Sequence, residues 1–299
     1  MTALAPIILF VYNRLDETKK TIEALQKNYL APQSELYIFS DGTKTELGKE
    51  KIASVRNYVN TVKGFKKVTV IAAKQNNGLA KSIITGVTDI VNTYEKAIIV
   101  EDDLVTSPNF LDYMNQALTF YKDHDKIISI SGYTLNLPNL KNSYKDYYLG
   151  LRASSWGWGT WKQKWNAVDW ELKDYQSFIN DKQRVADFAR IGSDMPKMLK
   201  YQMEGKIDSW AIRFCYYQFK QKMYCVFPTV SKLKSIGFTN EATHTAGSTR
   251  FDTTLDKGTQ RDFTFDHNLI VDEKLLKDFR DKFSIKSRLI DKVKQLINR

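Results

Sequence analysis

The sequence predicts an α/β protein with a Rossmann-like, mostly parallel sheet flanked by helices, followed by a C-terminal helical extension. Short continuous apolar runs, typical of strands buried on both faces, alternate with amphipathic segments over residues 1–131. The intervals between the runs leave room for crossover helices. Each of the first four runs ends in a polar cluster, and parallel sheets bind ligands beyond the carboxyl ends of their strands. These observations together predict a nucleotide pocket at one edge of the sheet.

The elements follow one another in a regular order up to residue 131. The predicted strands are Pro6–Tyr12, Leu36–Ser40, Val68–Ala72, Ala97–Val100 and Ile127–Ser131. The predicted helices are Asp16–Asn28, Glu46–Thr61, Leu79–Tyr94 and a fourth that begins at Pro108, a residue favoured in a first helical turn, and runs to about Asp123. The chain then becomes irregular and aromatic, and one or two further helices are predicted from about Lys274 to Arg299.

The bulk composition indicates a folded protein with anionic partners. Hydrophobic residues make up 42% of the 299 residues, which is enough for a sizeable core and argues against a disordered chain. We predict a catalytic domain over 1–250, with a nucleotide-binding half (1–131) and an acceptor half (132–250), and a basic helical extension over 251–299. The net charge of +11 favours nucleotides or an anionic membrane surface. The absence of a nucleic-acid-binding motif argues against nucleic acid as the partner.

Cysteine usage and hydropathy predict a cytoplasmic location at the inner membrane face. The two cysteines form no CxxC motif, and no apolar run approaches the ~18 residues of a spanning helix. Met1–Tyr12 is interpreted as a buried strand rather than a signal peptide. At the other end, four apolar residues recur at helical spacing opposite lysines: Ile285, Leu289, Val293 and Leu296. That pattern is typical of a helix on an anionic bilayer and equally of a helix docked on the protein.

Glu101, Asp102 and Asp103 are the sharpest chemical signal in the sequence. Three acids directly after a buried apolar strand repel one another, and a hard divalent cation relieves that repulsion. Such a cation also bridges carboxylates to a diphosphate and stabilises it as a leaving group. The alternative is a solvated turn with acids near a helix N-terminus. We favour a Mn²⁺ or Mg²⁺ site, and the absence of HxH or HExxH argues against zinc.

Polar residues after the other strands are candidate nucleotide contacts. Asp41 can accept the imide N–H of a uracil-like base or a ribose hydroxyl, or can simply be a turn aspartate. Lys81 and Arg14 can meet phosphate, although both positions also suit exposed cations. The full set of candidates at these strand ends is Tyr12, Asn13, Arg14, Asp41, Asn77 and Lys81.

The acceptor half offers candidates of a different kind. Arg152–Trp165 interleaves glycines with tryptophans, which suits a loop closing over a sugar and also a packed aromatic core, so Trp156 is a candidate sugar contact. Asp208 is a candidate general base beside Trp210, a candidate stacking platform, although a helix-start aspartate is the alternative. His244 is a candidate metal ligand, whereas a solitary loop histidine is usually solvated.

Several segments together resemble the family 2-like glycosyltransferases of the GT-A fold. In order they are PIILFVYNR, SDG, NNGLAKSI and IIVEDDLVTSPNFLDYM, and the resemblance covers about residues 5–245. The EDDL-x-x-x-P-x-F stretch is similar to the metal-binding segment of N-acetylglucosaminyltransferase I. SSWGWGTWKQKW and DSWAIRF…IGFTNEATH are similar to bacterial surface-polysaccharide transferases.

The resemblance implies a role for each matching residue. Asp41 would meet the base, Glu101 and Asp102 the ribose or donor sugar, Asp103 and His244 the metal, and Asp208 would be the catalytic base. The motif departs from the usual DxD in beginning with glutamate, which leaves the identity of the metal ligand open.

The function expected from this resemblance is inverting sugar transfer in surface-polysaccharide synthesis. The donor would be a nucleoside-diphosphate sugar, with UDP as the expected carrier, and the acceptor a glycan or a lipid-linked glycan. Two alternatives remain, a nucleotidyltransferase on a related sheet and a non-catalytic protein that binds nucleotide-sugars or other anions. The first usually has a Gly-rich basic loop after its first strand, where this chain has Tyr12-Asn13-Arg14.

Overall fold

An eight-stranded sheet forms the centre of the molecule. The structure is a computed structural model and describes residues 3–237, 250–287 and 289–290, with the backbone alone at Asn142. The strands are β1 (Ile7–Val11), β2 (Glu35–Ser40), β3 (Lys67–Ala72), β4 (Lys96–Glu101), β5 (Leu104–Thr106), β6 (Ile127–Ser131), β7 (Tyr147–Gly150), β8 (Trp158–Trp161), β9 (Tyr224–Pro228) and β10 (Leu233–Ser235). The large sheet has the order β3-β2-β1-β4-β8-β6-β9-β7, and β10 and β5 form a separate antiparallel pair.

The predicted fold class is confirmed. β3, β2, β1 and β4 are mutually parallel, β6 and β9 are parallel to each other, and β8 and β7 run antiparallel to their neighbours. The helices are α1 (Leu15–Gln26), α2 (Lys49–Val59), α3 (Leu79–Tyr94), α4 (Phe110–Phe120), α5 (Lys162–Asn166), α6 (Tyr175–Asn180), α7 (Lys182–Ala189), α8 (Met195–Met203), α9 (Trp210–Lys220) and α10 (Glu273–Lys282).

The alternation of side chains along β1 explains the two layers of helices. All five residues of β1 are buried, as expected for a central parallel strand. Ile7 and Leu9 pack in the cluster that contains α1, α2 and α4, whereas Ile8 packs in the cluster that contains α3 and α9. A third cluster lies between α9 and the helices α6 to α8. The sheet is therefore covered on both faces.

Most tryptophans of the acceptor half are part of the core. Trp158, Trp165 and Trp210 are at most 4% exposed, and the rings of Trp158 and Trp210 stack with centroids 4.7 Å apart. The prediction that Trp210 stacks on a sugar is therefore wrong, because its ring already stacks inside the protein. The alternative interpretation of this region, a packed aromatic core, accounts for these three rings.

Two predicted elements differ from the structure. The fourth helix begins at Phe110 rather than Pro108, because β5 lies between the acidic motif and the helix and pairs with β10. The extension is not helical throughout: residues 251–271, which we call the strap, contain no helix and lie against the sheet and α4. Phe263 and Phe265 of the strap pack on Tyr113, so hydrophobic burial fixes it.

No helix in the described ranges combines the length and apolar composition needed to cross a bilayer.

Candidate metal and nucleotide site

The predicted site residues of the first half come together at one edge of the sheet. β1 lies between β2 and β4, with Val11 paired to Ser40 and Phe10 to Glu101. The residues that follow these strands therefore share the carboxyl edge. Since neighbouring strands are about 4.8 Å apart, the residues that end β2 and β4 lie about 10 Å apart, with β1 between them.

Arg14 links the acidic motif to the start of α1. Its guanidinium donates to Asp102 in a short ion pair and to Oδ2 of Asp103 at 3.1 Å. Asp102 is 4% exposed, and its other oxygen accepts the backbone N–H of Tyr12 at 3.3 Å. Thr21 of α1 donates to the Asp102 carbonyl at 2.8 Å. Through these contacts Asp102 holds Arg14 and the start of α1 in place. Its predicted contact with ribose or sugar stays a prediction.

Burial and neighbouring acids raise the pKa values of Glu101 and Asp102. Burial, followed by the charges of Asp103 and Asp102, raises the pKa of Glu101 to about 8, and Arg14 offsets only part of this. Burial likewise raises the pKa of Asp102 to about 6, against the opposing effect of Arg14. Burial would lower the pKa of Arg14, but its two aspartate partners outweigh that effect and raise it. The positive charge of Arg14 thus compensates only part of the negative charge of the three acids.

Asp103 lies at the start of the segment that carries His244. Its carbonyl accepts the Ile236 N–H at 2.8 Å, and the backbone of Gly237 packs against its side chain. A Cβ at Gly237 would lie 2.1 Å from Oδ2 of Asp103, so this approach requires glycine. His244 itself lies outside the described residues, and its assignment as a metal ligand stays a prediction.

Asp41 organises the loop before α3. Oδ1 accepts the backbone N–H groups of Gly42 at 2.8 Å and Asn77 at 2.9 Å. Oδ2 accepts the Gly78 N–H and the Asn76 amide, both at 3.0 Å. Four donors match the four lone-pair sites of a carboxylate. The contact between Asp41 and a base stays a prediction, and in this structure the carboxylate holds the loop.

Sequence reasoning missed Arg56. Its guanidinium donates to the carbonyls of Ala73 at 2.7 Å and Asp41 at 3.1 Å, and to Oγ of Ser40 at 3.1 Å. It therefore ties the end of β2 to the end of β3. Nothing in the local sequence signals this role, since an arginine in α2 fits an exposed helix face equally well.

The other nucleotide candidates line the same edge without a fixed role. Asn13 and Asn77 are partly exposed, and Lys81 is exposed in the first turn of α3. Tyr12 is partly exposed and contributes its backbone N–H to Asp102. Their predicted nucleotide contacts stay predictions.

Asp208 also lies toward the carboxyl edge. α9 runs into β9, which is parallel to β6, so the helix begins near the carboxyl ends of the parallel strands. Asp208 precedes it, is 65% exposed in its side chain, and accepts from Arg213 at 2.8 Å. Ser209 caps the helix by accepting the Ile212 N–H, so the cap is not the aspartate. Trp156 is partly exposed and lies edge-on to Tyr133 at 4.7 Å.

The carboxylate oxygens of this edge fit a hard divalent cation such as Mg²⁺ or Mn²⁺ better than a zinc site. Within the part of the chain that the structure describes, no group of three or more His, Cys, Asp or Glu side chains forms a ready-made metal site. The acidic motif nevertheless concentrates oxygen ligands whose charge a single arginine compensates only in part, and a bound cation would offset the burial that raises the pKa of Glu101. Asp103, 21% exposed in its side chain, is the more accessible of the two aspartates.

Comparisons with known proteins identify no family for the chain. No family model and no curated protein matches it. Among solved structures it is similar to a mannosyltransferase from Pyrobaculum calidifontis in complex with GDP-mannose and Mn²⁺, with 11% identity and a TM-score of 0.39 over 72% of this chain and 74% of that one. It is also similar to TarS from S. aureus, with 16% identity and a TM-score of 0.28 over 42% of this chain and 21% of that one. At such TM-scores, neither similarity indicates an activity or a ligand.

Proposed function

We propose that this chain is a metal-dependent, inverting glycosyltransferase that uses a nucleoside-diphosphate sugar, with UDP as the expected carrier. The observation that carries the proposal is the position of Glu101 and Asp103 at the carboxyl end of β4, beside Arg14 and about 10 Å from the loop that Asp41 organises. Incompletely compensated acids next to an arginine suit a divalent cation and a diphosphate together.

Each side of the donor has a candidate contact in this arrangement. Arg14 is a partly exposed cation within reach of a phosphate bound near Asp103. The loop at Asn77 and the exposed Lys81 supply further polar groups on the opposite side of β1. Asp103, together with His244, would hold Mn²⁺ or Mg²⁺, which when bound stabilises the departing diphosphate as a Lewis acid.

Asp208 is our candidate for the general base. Inversion without a covalent intermediate needs a carboxylate that takes the proton of the acceptor hydroxyl as that oxygen attacks the anomeric carbon. Asp208 is exposed at the edge that carries the acidic motif, and its ion pair with Arg213 limits the orientations of its carboxylate. The acceptor would be a glycan or lipid-linked glycan that approaches over the half of the sheet formed by β8, β6, β9 and β7.

The donor site is tested by UDP binding in the presence and absence of Mn²⁺, measured by calorimetry. Asp103→Asn should abolish the metal-dependent part of the affinity, since it removes the proposed ligand's charge. The matched control is Asp123→Asn, an exposed aspartate before β6 at the opposite edge, which should bind as the unmodified chain does. Unchanged Mn²⁺-dependent binding by Asp103→Asn would refute the metal assignment.

The base is tested by turnover with a panel of nucleotide sugars. Asp208→Asn should leave donor binding unchanged and slow transfer by about 100-fold or more. Near-normal turnover would exclude Asp208 as the base. Release of pyrophosphate from a nucleoside triphosphate incubated with a sugar 1-phosphate, without turnover of nucleotide sugars, would favour the nucleotidyltransferase alternative. Metal-dependent binding without turnover of either substrate would favour the non-catalytic one.

A further inference from the structure

A basic pocket lies next to the edge strand β7, away from the central strand β4 that carries the acidic motif. Three arginines line it, from different parts of the chain: Arg152 after β7, Arg190 after α7 and Arg280 in α10. Its apolar lining includes Ile191 and Phe279. Four strand spacings separate β4 from β7, so the pocket is about 20 Å along the sheet from the acidic motif.

The pocket carries an excess of positive charge. Arg152 is paired with Asp194 at 3.0–3.2 Å and lies 4.0 Å above the ring of Phe283, so it is a fixed part of the wall. Arg190 and Arg280 are exposed, and among the described residues neither forms a salt bridge. Among the described residues that line the pocket, Glu273 is the only acid. The three arginines thus outnumber the two nearby carboxylates of Asp194 and Glu273, and an excess of arginine suits a phosphate.

Exposed apolar side chains follow directly on the pocket. Ile285, Leu289 and Ile290 are 62%, 58% and 47% exposed, and they come shortly after α10. Residues 284–299 contain five basic residues and one acid, so cationic and apolar residues are interspersed along this stretch. Cations together with exposed aliphatic side chains match the headgroup and acyl region of an anionic lipid.

The pocket is also connected to the proposed donor site through the chain. Residues 238–249 leave from Gly237, which packs against Asp103. They rejoin the described chain at Arg250, whose guanidinium lies 4.4 Å from the ring of Phe251 and 5.8 Å from that of Phe283. Phe283 is the same ring on which Arg152 rests.

We propose that the Arg152–Arg190–Arg280 pocket binds the phosphate headgroup of an anionic lipid, with Ile285, Leu289 and Ile290 entering the membrane surface. The biological role of this lipid site rests on the proposed function, because an enzyme bound at the membrane meets a lipid-linked acceptor at the same surface. Lipid binding itself requires neither metal nor donor, so it can fail or succeed independently of sugar transfer.

The test is flotation of the full chain, without metal or nucleotide, on vesicles of phosphatidylglycerol with phosphatidylcholine and on vesicles of phosphatidylcholine alone. The chain should float only with the anionic vesicles. Arg190→Gln/Arg280→Gln should weaken flotation about 10-fold or more, because about 1 kcal/mol per basic residue is lost at such a surface. Lys20→Gln/Lys27→Gln, which removes the same charge from the exposed side of α1, should not weaken it.

Three outcomes would overturn the proposal. Equal flotation by the two double variants would mean that net charge acts instead of the pocket. Absence of flotation, or equal flotation on both vesicle types, would exclude an anionic headgroup. Binding of soluble glycerol phosphate that depends on Arg190 and Arg280, without flotation, would assign the pocket to a soluble phosphate. Because the substituted arginines are exposed, unchanged thermal melting is the expected check on folding.

Discussion

Four hydrogen bonds converge on the carboxylate of Asp41, and they join the end of β2 to the loop that precedes α3. The sequence alone favoured a base contact or a simple turn at this position. Asp41 in fact reaches Asn76, Asn77 and Gly78, which lie 35 to 37 residues away along the chain. A nucleotide contact in this region would therefore depend on a loop that partly buried hydrogen bonds hold in place.

The substitution Asp41→Asn tests whether the Asp41 carboxylate holds this loop. The new amide N–H₂ would face donors in place of an acceptor, so we expect the free energy of unfolding to fall by about 2–3 kcal/mol. Urea denaturation measures the loss. Asp123→Asn, at an exposed position, should change stability by less than about 0.5 kcal/mol. An Asp41→Asn chain as stable as the unmodified one would show that the four contacts contribute little.

Close backbone contact between elements defines the shape of the same edge. At Gly42, a Cβ would lie 2.3 Å from the carbonyl carbon of Gln75, so the turn after β2 and the loop after β3 touch through their backbones. At Gly48, a Cβ would lie 2.7 Å from the exposed Thr43 hydroxyl, a side-chain group that can shift if water replaces its hydrogen bonds with Thr45. The two glycines, six residues apart, are therefore under different constraints.

Gly42→Ala should accordingly be destabilising, whereas Gly48→Ala should be nearly neutral. Relief of a backbone clash requires the loop to shift, and we expect a loss of about 1–3 kcal/mol together with weaker nucleotide binding. Thermal melting and UDP calorimetry measure the two effects. Similar melting temperatures for both variants would mean that the loop yields without cost.

Local patterns were sufficient to predict the elements of the first half but not their long-range contacts. Apolar runs and helical periodicity were enough to predict β1 to β4 and the helices between them, because buried positions recur at regular spacing within each element. β5 could not be predicted, since three residues become a strand only by pairing with β10, about 130 residues later. The prediction for Trp210 was wrong for a related reason: an exposed and a stacked indole have the same sequence signature.

The same distinction applies to the site. The strand-end clusters were predictable because topology places the carboxyl ends of parallel strands at one edge. The contacts of Arg14 and Arg56 could not be predicted. The partners of a long side chain depend on which residues the fold brings near it, and the local sequence does not contain that information. The course of the strap could not be predicted either, since its aromatic residues carry no period and find their partners on α4.

At the scale of the whole molecule, one buried ion pair attaches the strap to the sheet. Lys232 is 3% exposed, bonds Asp256 of the strap, and lies 4.6 Å from the ring of Phe263. Asp256 also accepts the Gly258 N–H at 2.6 Å and the Asn109 amide at 3.3 Å. Burial lowers the pKa of Lys232 despite this partner, so the pair is held at a desolvation cost.

Removing one partner of this pair should therefore cost more than removing both charges. Asp256→Asn leaves a buried ammonium without its counter-charge, and we expect a loss of about 3–5 kcal/mol in the free energy of unfolding. Lys232→Met/Asp256→Asn removes the stranded charge, while the amide oxygen introduced at position 256 can still accept the Gly258 N–H, so most of that stability should return. Urea denaturation of both variants and of Lys232→Met completes a double-mutant cycle. Asp281→Asn, which breaks the exposed Lys277–Asp281 pair, should cost at most about 0.5 kcal/mol. If the double variant is less stable than Asp256→Asn, then the ion pair itself, and not the apolar packing of the strap, holds this half of the molecule together.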